Sequence, residues 1–326
     1  MPTKRKHSLG KTLARPWIAA VLALGVGLAL GAGLTLFLGE TPSASKIETT
    51  HKEAARRPVP KVAGLPAAKP GDFLPGEASK PQWIRNAVAV PENGERPLIA
   101  IVIDDLGLSP KRSAMAIGLP GPLTLAFLPY AAKLPEQARR ARAAGHELLV
   151  HVPMEPEGKV ADPGPRALMT RMSVEEILER LRWDLDRFDH YVGINNHMGS
   201  KFTKNPERLA LVFQELKSRG LLFLDSRTTS DTVARELAGE MGIPFAERQV
   251  FLDNYLSAKN VHERLARLEE IARNEGVAVA IGHPHEVTMA ALREWLPTLE
   301  EKGFALVPVS AVVRKRLDGQ GAVTGR

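Results

Sequence analysis

The chain of 326 residues carries a formal net charge of +7 at pH 7, has an ordinary apolar fraction of 44% and contains no cysteine. The lack of cysteine excludes a disulfide framework, a thiolate metal site and a cysteine nucleophile. Residues 1–95 hold 13 Lys and Arg against 7 Asp and Glu, and residues 96–326 hold 31 against 30, so the body lacks the basic excess that a nucleic-acid partner requires.

In chain order, residues 1–16 form a basic tail with Lys4, Arg5, Lys6, Lys11 and Arg15. Residues 17–39, WIAAVLALGVGLALGAGLTLFLG, are uncharged. As a helix they would reach about 34 Å, enough to cross a bilayer core. The positive-inside rule then places the tail in the cytoplasm and the body on the periplasmic or extracytoplasmic side of the inner membrane. A cleavable signal peptide competes, since Ser43, Ala44 and Ser45 follow. Its apolar region would run only about 7–15 residues, and length favours the anchor. Residues 40–96 read as a Pro-rich flexible linker, with Trp83 and Ile84 expected to dock onto the domain.

From residue 97 to 315, short apolar runs alternate with helix-like stretches. The runs are 98–103, 123–128, 147–152, 191–194, 221–224, 277–281 and 304–308, with QVFL at 249–252 weaker. Between them, Ser173 and Glu176 form a capping box ahead of Ile177, Leu178, Leu181, Leu185 and Phe188. Asn205 and Pro206 open a further helix that Gly220 closes. Strands buried on both faces and separated by helices make a parallel sheet, and seven or eight mostly parallel strands in this length suggest a closed or nearly closed β/α barrel. An open doubly wound sheet fits the same count. Residues 316–326 read as a flexible tail.

In such barrels chemistry gathers at the C-terminal strand ends. Asp104 and Asp105 follow the first run; His151 and Glu155 belong to HVPMEPEG; Asn195, Asn196 and His197 belong to NNHMGSKFT; Asp225 and Arg227 belong to LDSRTTS; and His283 and His285 belong to GHPH. Each has a plainer reading: adjacent aspartates also fix turns, a lone histidine is more often structural, and Arg227 could simply pair with Asp225. His146, His190 and His262 read as structural or solvated. Together, five polar strand ends at one mouth suit a divalent metal, zinc above all, with a position left open for water.

IDDLG, GHELLVHVPMEP, GINNHMGS, FLDSRTT and AIGHPH in this order resemble the divergent polysaccharide deacetylase family, a branch of the NodB-homology carbohydrate esterases. The resemblance implies a distorted β/α barrel with a divalent metal, usually zinc, in its mouth. It also implies Asp104 as general base, Asp105 and His151 as ligands, and His283 as the catalytic histidine, with Asp225 and Arg227 orienting it. Typical members carry a second metal-binding histidine where this chain has Glu155, so either Glu155 or His197 completes the ligand set. Glu155, Asn195, Asn196, Arg227 and His285 are expected as supporting or substrate-contacting residues.

Removing an acetyl group from an amino sugar needs activated water, a stabilised oxyanion and a protonated amine leaving group. A zinc ion on Asp105 and histidines, Asp104 as proton acceptor and His283 as donor would meet those needs. The expected partner is an envelope polysaccharide, peptidoglycan among the candidates, reached from the membrane. The alternatives are a non-catalytic envelope protein that binds glycan or a cell-wall protein partner, and a phosphoesterase. For the latter only Arg227 and Lys201 offer cationic clamps.

Overall fold

Apolar runs without alternation become strands covered on both faces, and the punctuated stretches between them become crossover helices. The structure, a computed structural model, describes residues 80–90, 94–158 and 160–324. The predicted basic tail and anchor, and the linker up to residue 79, lie outside the described residues. Among the described residues no helix is long and apolar enough to cross a membrane.

After a short helix α1 (Gln82–Arg85) the chain alternates regularly. Strand β1 (Leu98–Leu106), α2 (Pro110–Ile117), β2 (Thr124–Phe127), α3 (Leu134–Ala143), β3 (Glu147–Met154), α4 (Val174–Leu185) and β4 (Gly193–Met198) come first. They are followed by α5 (Pro206–Arg219), β5 (Leu222–Asp225), α6 (Ala234–Met241), β6 (Phe245–Glu247), β7 (Val250–Phe251), α7 (Ala258–Glu275), β8 (Val277–Gly282), α8 (Glu286–Trp295), β9 (Ala305–Leu306) and α9 (Val309–Thr324). The expected caps are present. The Ser173–Glu176 box is reciprocal, Asn205 accepts from the Arg208 amide, and Gly220 closes α5 in the left-handed conformation at φ 65°.

All strand pairings are parallel, in the order β6-β5-β4-β3-β2-β1-β8-β7. The first and last strands of that path, β6 and β7, are separated by only Arg248 and Gln249, which fixes their ends within about 11 Å of each other. The sheet therefore curls on itself. Arg248 donates its amide to Asp225 O of β5 (3.0 Å) and Gln249 to Val279 O of β8 (2.9 Å), so these two residues bridge the seam. An open doubly wound sheet is thereby excluded.

Among the described residues nine strands stand where seven or eight were expected. Strand β6 escapes the sequence because Phe245–Glu247 is three residues long and ends in a charge. The run at 304–308 yields only two paired residues, which take the β1 edge below the point where β2 begins.

Alternate residues of each strand serve two apolar clusters. Ile99, Ile101 and Ile103 pack outward against the helices, while Leu98, Ala100 and Val102 face inward with Leu149, Leu224, Ala246, Val279 and Ile281. The N-terminal end of the interior is plugged by Trp83 and by Val309, Val312 and Val313 of α9. Trp83 is buried, and its amide donates to Gly220 O at 2.9 Å. Trp83 and Ile84 thus dock as expected, and Val90 packs with them, inside the stretch read as a linker to residue 96. Helix α9 likewise runs on to Thr324 where a flexible tail was expected from residue 316.

Candidate metal centre

The inward column of β1 continues past Val102 to Asp104, which is buried. Asp105 should then face outward, but its backbone is left-handed at φ 58° and the β1–β2 register slips between Ile103 and Leu106. This irregularity, followed by Gly107 at φ 107°, where an added Cβ would lie 2.7 Å from Ala131 Cβ, turns the second carboxylate to the same side as the first. Register supplies the neighbours. His151 lies beside Asn195 and Pro153 beside His197 across the β3–β4 ladder. Ile103 lies beside Gly282, which brings His283 level with Asp104.

Three donor atoms converge there. Asp105 Oδ1 is 2.8 Å from His197 Nδ1 and 3.2 Å from His151 Nε2, and the two ring nitrogens are 3.2 Å apart. Ligands 2.0–2.1 Å from one tetrahedral ion would be separated by about 3.3 Å. Asp105 Oδ1 is buried without a hydrogen bond of acceptable geometry, although both imidazoles touch it. An orphaned carboxylate oxygen facing two ring nitrogens at these spacings fits a cation. Nδ1 of His151 is committed to Asn195 Oδ1 (2.9 Å), which leaves Nε2 as the lone-pair nitrogen toward the other two donors. Asn195 in turn donates Nδ2 to Asp104 Oδ1 (2.8 Å) and to Ser226 Oγ (3.2 Å).

Burial raises the proton affinity of Asp104, partly opposed by the His151 and His283 charges. For Asp105 burial acts in the same sense, but contacts with His151 and His197 outweigh it and hold the carboxyl well below the usual range. Burial disfavours the His283 imidazolium, yet its hydrogen bond to Asp253 and the charges of Asp104 and Asp105 prevail and push it up to about 9.

Of the sequence-predicted residues, Asp104, Asp105, His151, Asn195, His197 and His283 come together. Nε2 of His283 stands 3.8 Å from Asp105 Oδ2. Glu155 is not a donor to this group; of the two residues the sequence left open, His197 is the one that meets Asp105 and His151. Its Oε2 accepts from the Thr170 amide and hydroxyl (both 2.6 Å) and its Oε1 from Lys201 Nζ (2.7 Å), tying two loops together.

Asp225 does not orient His283 either. It accepts from the Arg227 amide and Thr232 Oγ1 within its own loop. The orienting carboxylate is Asp253, which takes Nδ1 of His283 at 3.0 Å and its amide at 2.7 Å and is itself held by Thr288 Oγ1 at 2.8 Å. Asp253 directly follows QVFL; reading the position after that weaker run as well would have found it. Arg227 pairs with Glu247 (3.3 Å), leaving Asp225 aside. Asn196 braces the β4 and β5 ends through Ser226 N (2.9 Å) and Met198 O (2.7 Å). His285 lies beside His283, ring centroids 5.9 Å apart, at the start of α8.

Residues 101–313, most of this barrel, match the divergent polysaccharide deacetylase family. The chain belongs to that family. Among curated relatives, this deacetylase-family chain is 36% identical to the uncharacterized protein YibQ of Escherichia coli K12 over 217 residues, 67% of each chain. It is 34% identical to an uncharacterized protein of Haemophilus influenzae over 205 residues, 62% of this chain and 72% of that one. Among solved structures, an uncharacterized protein of Agrobacterium tumefaciens C58 superposes with a TM-score of 0.70 at 29% identity, covering 73% of this chain and 97% of its own.

Proposed function

We propose that the protein is a metal-dependent hydrolase that removes acetyl groups from an N-acetylated envelope polysaccharide, with peptidoglycan the first substrate to test. In this reading Asp105, His151 and His197 hold the divalent ion, and their His and carboxylate donor set suits zinc. The hydrophobic segment 17–39 anchors the chain in the inner membrane with the barrel on the extracytoplasmic side.

The observation that carries the reading is the placement of two proton-handling groups next to the three convergent donors, Asp104 Oδ2 at 3.6 Å from His151 Nε2 and His283 Nε2 at 3.8 Å from Asp105 Oδ2. A bound ion would supply Lewis-acid polarisation of the amide and acidify water. Asp104, held by Asn195, accepts the proton from the attacking water. His283, with Nδ1 committed to Asp253, presents Nε2 to the site and delivers a proton to the departing amine. Asp253 acts through His283 by fixing its ring and favouring the charged form.

Acetate release from acetylated chitooligosaccharides and from peptidoglycan tests the proposal. The wild-type chain should release acetate in both a metal-dependent and an Asp104-dependent manner. Asp104→Asn should lower the rate by about 10²–10⁴-fold while metal content is unchanged. Metal-loaded protein that releases no acetate from either substrate would point instead to glycan binding without catalysis.

A further inference from the structure

Beside the metal centre the wall of the barrel carries a local excess of positive charge that the reaction outlined above does not use. At the β6–β7 seam a cavity of about 490 Å³ is lined by Arg227, Thr229, Ser230, Arg248, Gln249 and Ile271. Arg227 and Arg235 share one carboxylate, Glu247. Arg248 has no carboxylate partner among its hydrogen bonds; it donates to Ser226 O (2.7 Å) and Arg227 O (2.6 Å). Of the other acids nearby, Asp225 is buried and occupied by its own loop, and Asp231 is taken by Lys204 and Ser230. Arg227 and Arg248 therefore face one cavity with less negative charge than they need, in a body whose charges otherwise nearly balance.

The cavity is joined to the metal centre on two sides. Ser226 accepts Arg248 Nε at its carbonyl and Asn195 Nδ2 at its hydroxyl. The Phe251 ring lies 5.1 Å from the Arg248 guanidinium and 5.2 Å from the His283 ring.

From this geometry we infer that the cavity is a subsite for a carboxylate carried by the substrate, so that the preferred glycan is acidic. The inference rests on the deacetylase reading. A guanidinium presents a planar fork that matches a carboxylate, and Thr229 adds a hydroxyl donor. An N-acetylated glycan whose acetamido group lies at the metal centre would place an acidic substituent of the same or a neighbouring sugar against Arg227 and Arg248. With a neutral glycan Arg227 keeps only its share of Glu247, and Arg248 keeps only backbone carbonyl acceptors.

Calorimetric titration of the full-length chain in detergent with two disaccharides tests this. One is N-acetylglucosaminyl-N-acetylmuramic acid, which carries a lactyl carboxylate, and the other is neutral di-N-acetylchitobiose. The acidic sugar should bind about three- to tenfold more tightly, with a gap that narrows as salt is raised. Arg227→Gln should abolish the gap and Arg227→Lys retain part of it. Equal affinities, a gap untouched by Arg227→Gln, or no binding of either sugar would overturn the inference. A charge-dependent preference without acetate release would uphold the subsite and remove the deacetylase reading alone.

Discussion

Asp104 and Asp105 are neighbours in a strand yet serve the same group of side chains, because the left-handed backbone at Asp105 breaks the alternation that would send it outward. Asn195 shows how much one neutral amide can fix. It sets the tautomer of His151 through Oδ1 and tethers Asp104 through Nδ2. Asn195→Leu should leave both groups buried without that partner, costing about 1–3 kcal/mol of stability and weakening metal affinity about 10–100-fold. Urea denaturation and competitive metal titration of the variant would check both figures, and unchanged metal affinity would show that the amide only fills space. These pairings were only half legible in the sequence. Residue types at strand ends marked Asp104, His151 and His283, but which carboxylate meets which imidazole depends on register. Asp225 and Asp253 follow equivalent runs and only one touches the histidine.

Helix α4 carries a different kind of polar residue. Asp184 is fully buried, and neither of its carboxylate oxygens has a hydrogen-bond partner. Burial pushes the carboxyl up to about 8, with the Arg166, Arg180 and Arg187 charges only partly opposing it. Its folded proton affinity exceeds the unfolded value, so the native state binds the proton more tightly. Its contribution to stability is complete below the unfolded pKa near 4 and is lost as pH rises from there to about 8. The slope is at most about 1.4 kcal/mol per pH unit. Asp184→Asn should remove that slope, so its urea midpoint should gain on the wild type between pH 5 and pH 8. A difference between the two proteins that stays constant across that range would show that Asp184 is charged throughout. The sequence displays Asp184 only as one acid on a helix that alternates charges; its burial becomes visible when the helix is docked.

At the scale of the whole molecule, the sequence pattern reveals the parallel β/α alternation because continuous apolar runs are a direct consequence of burying both faces of a sheet. The curl of the sheet is less legible. It depends on the two-residue seam at Arg248 and Gln249 and on strands of two or three residues, too short to leave a periodic signal. The docking of Trp83 against the closed end, by contrast, could be read from an isolated aromatic in a Pro-rich stretch. The curl brings Asp105, His151 and His197 from β1, β3 and β4 to one point while Glu155, adjacent in sequence to that set, is drawn off by Lys201 and Thr170. Metal analysis of the full-length chain and four single variants tests this convergence most directly. About one divalent ion per chain is expected in the wild type and in Glu155→Gln, and its loss in Asp105→Ala, His151→Ala and His197→Ala. Retention of the ion in His197→Ala together with its loss in Glu155→Gln, or a wild-type chain that takes up no ion from a zinc-containing buffer, would contradict the account.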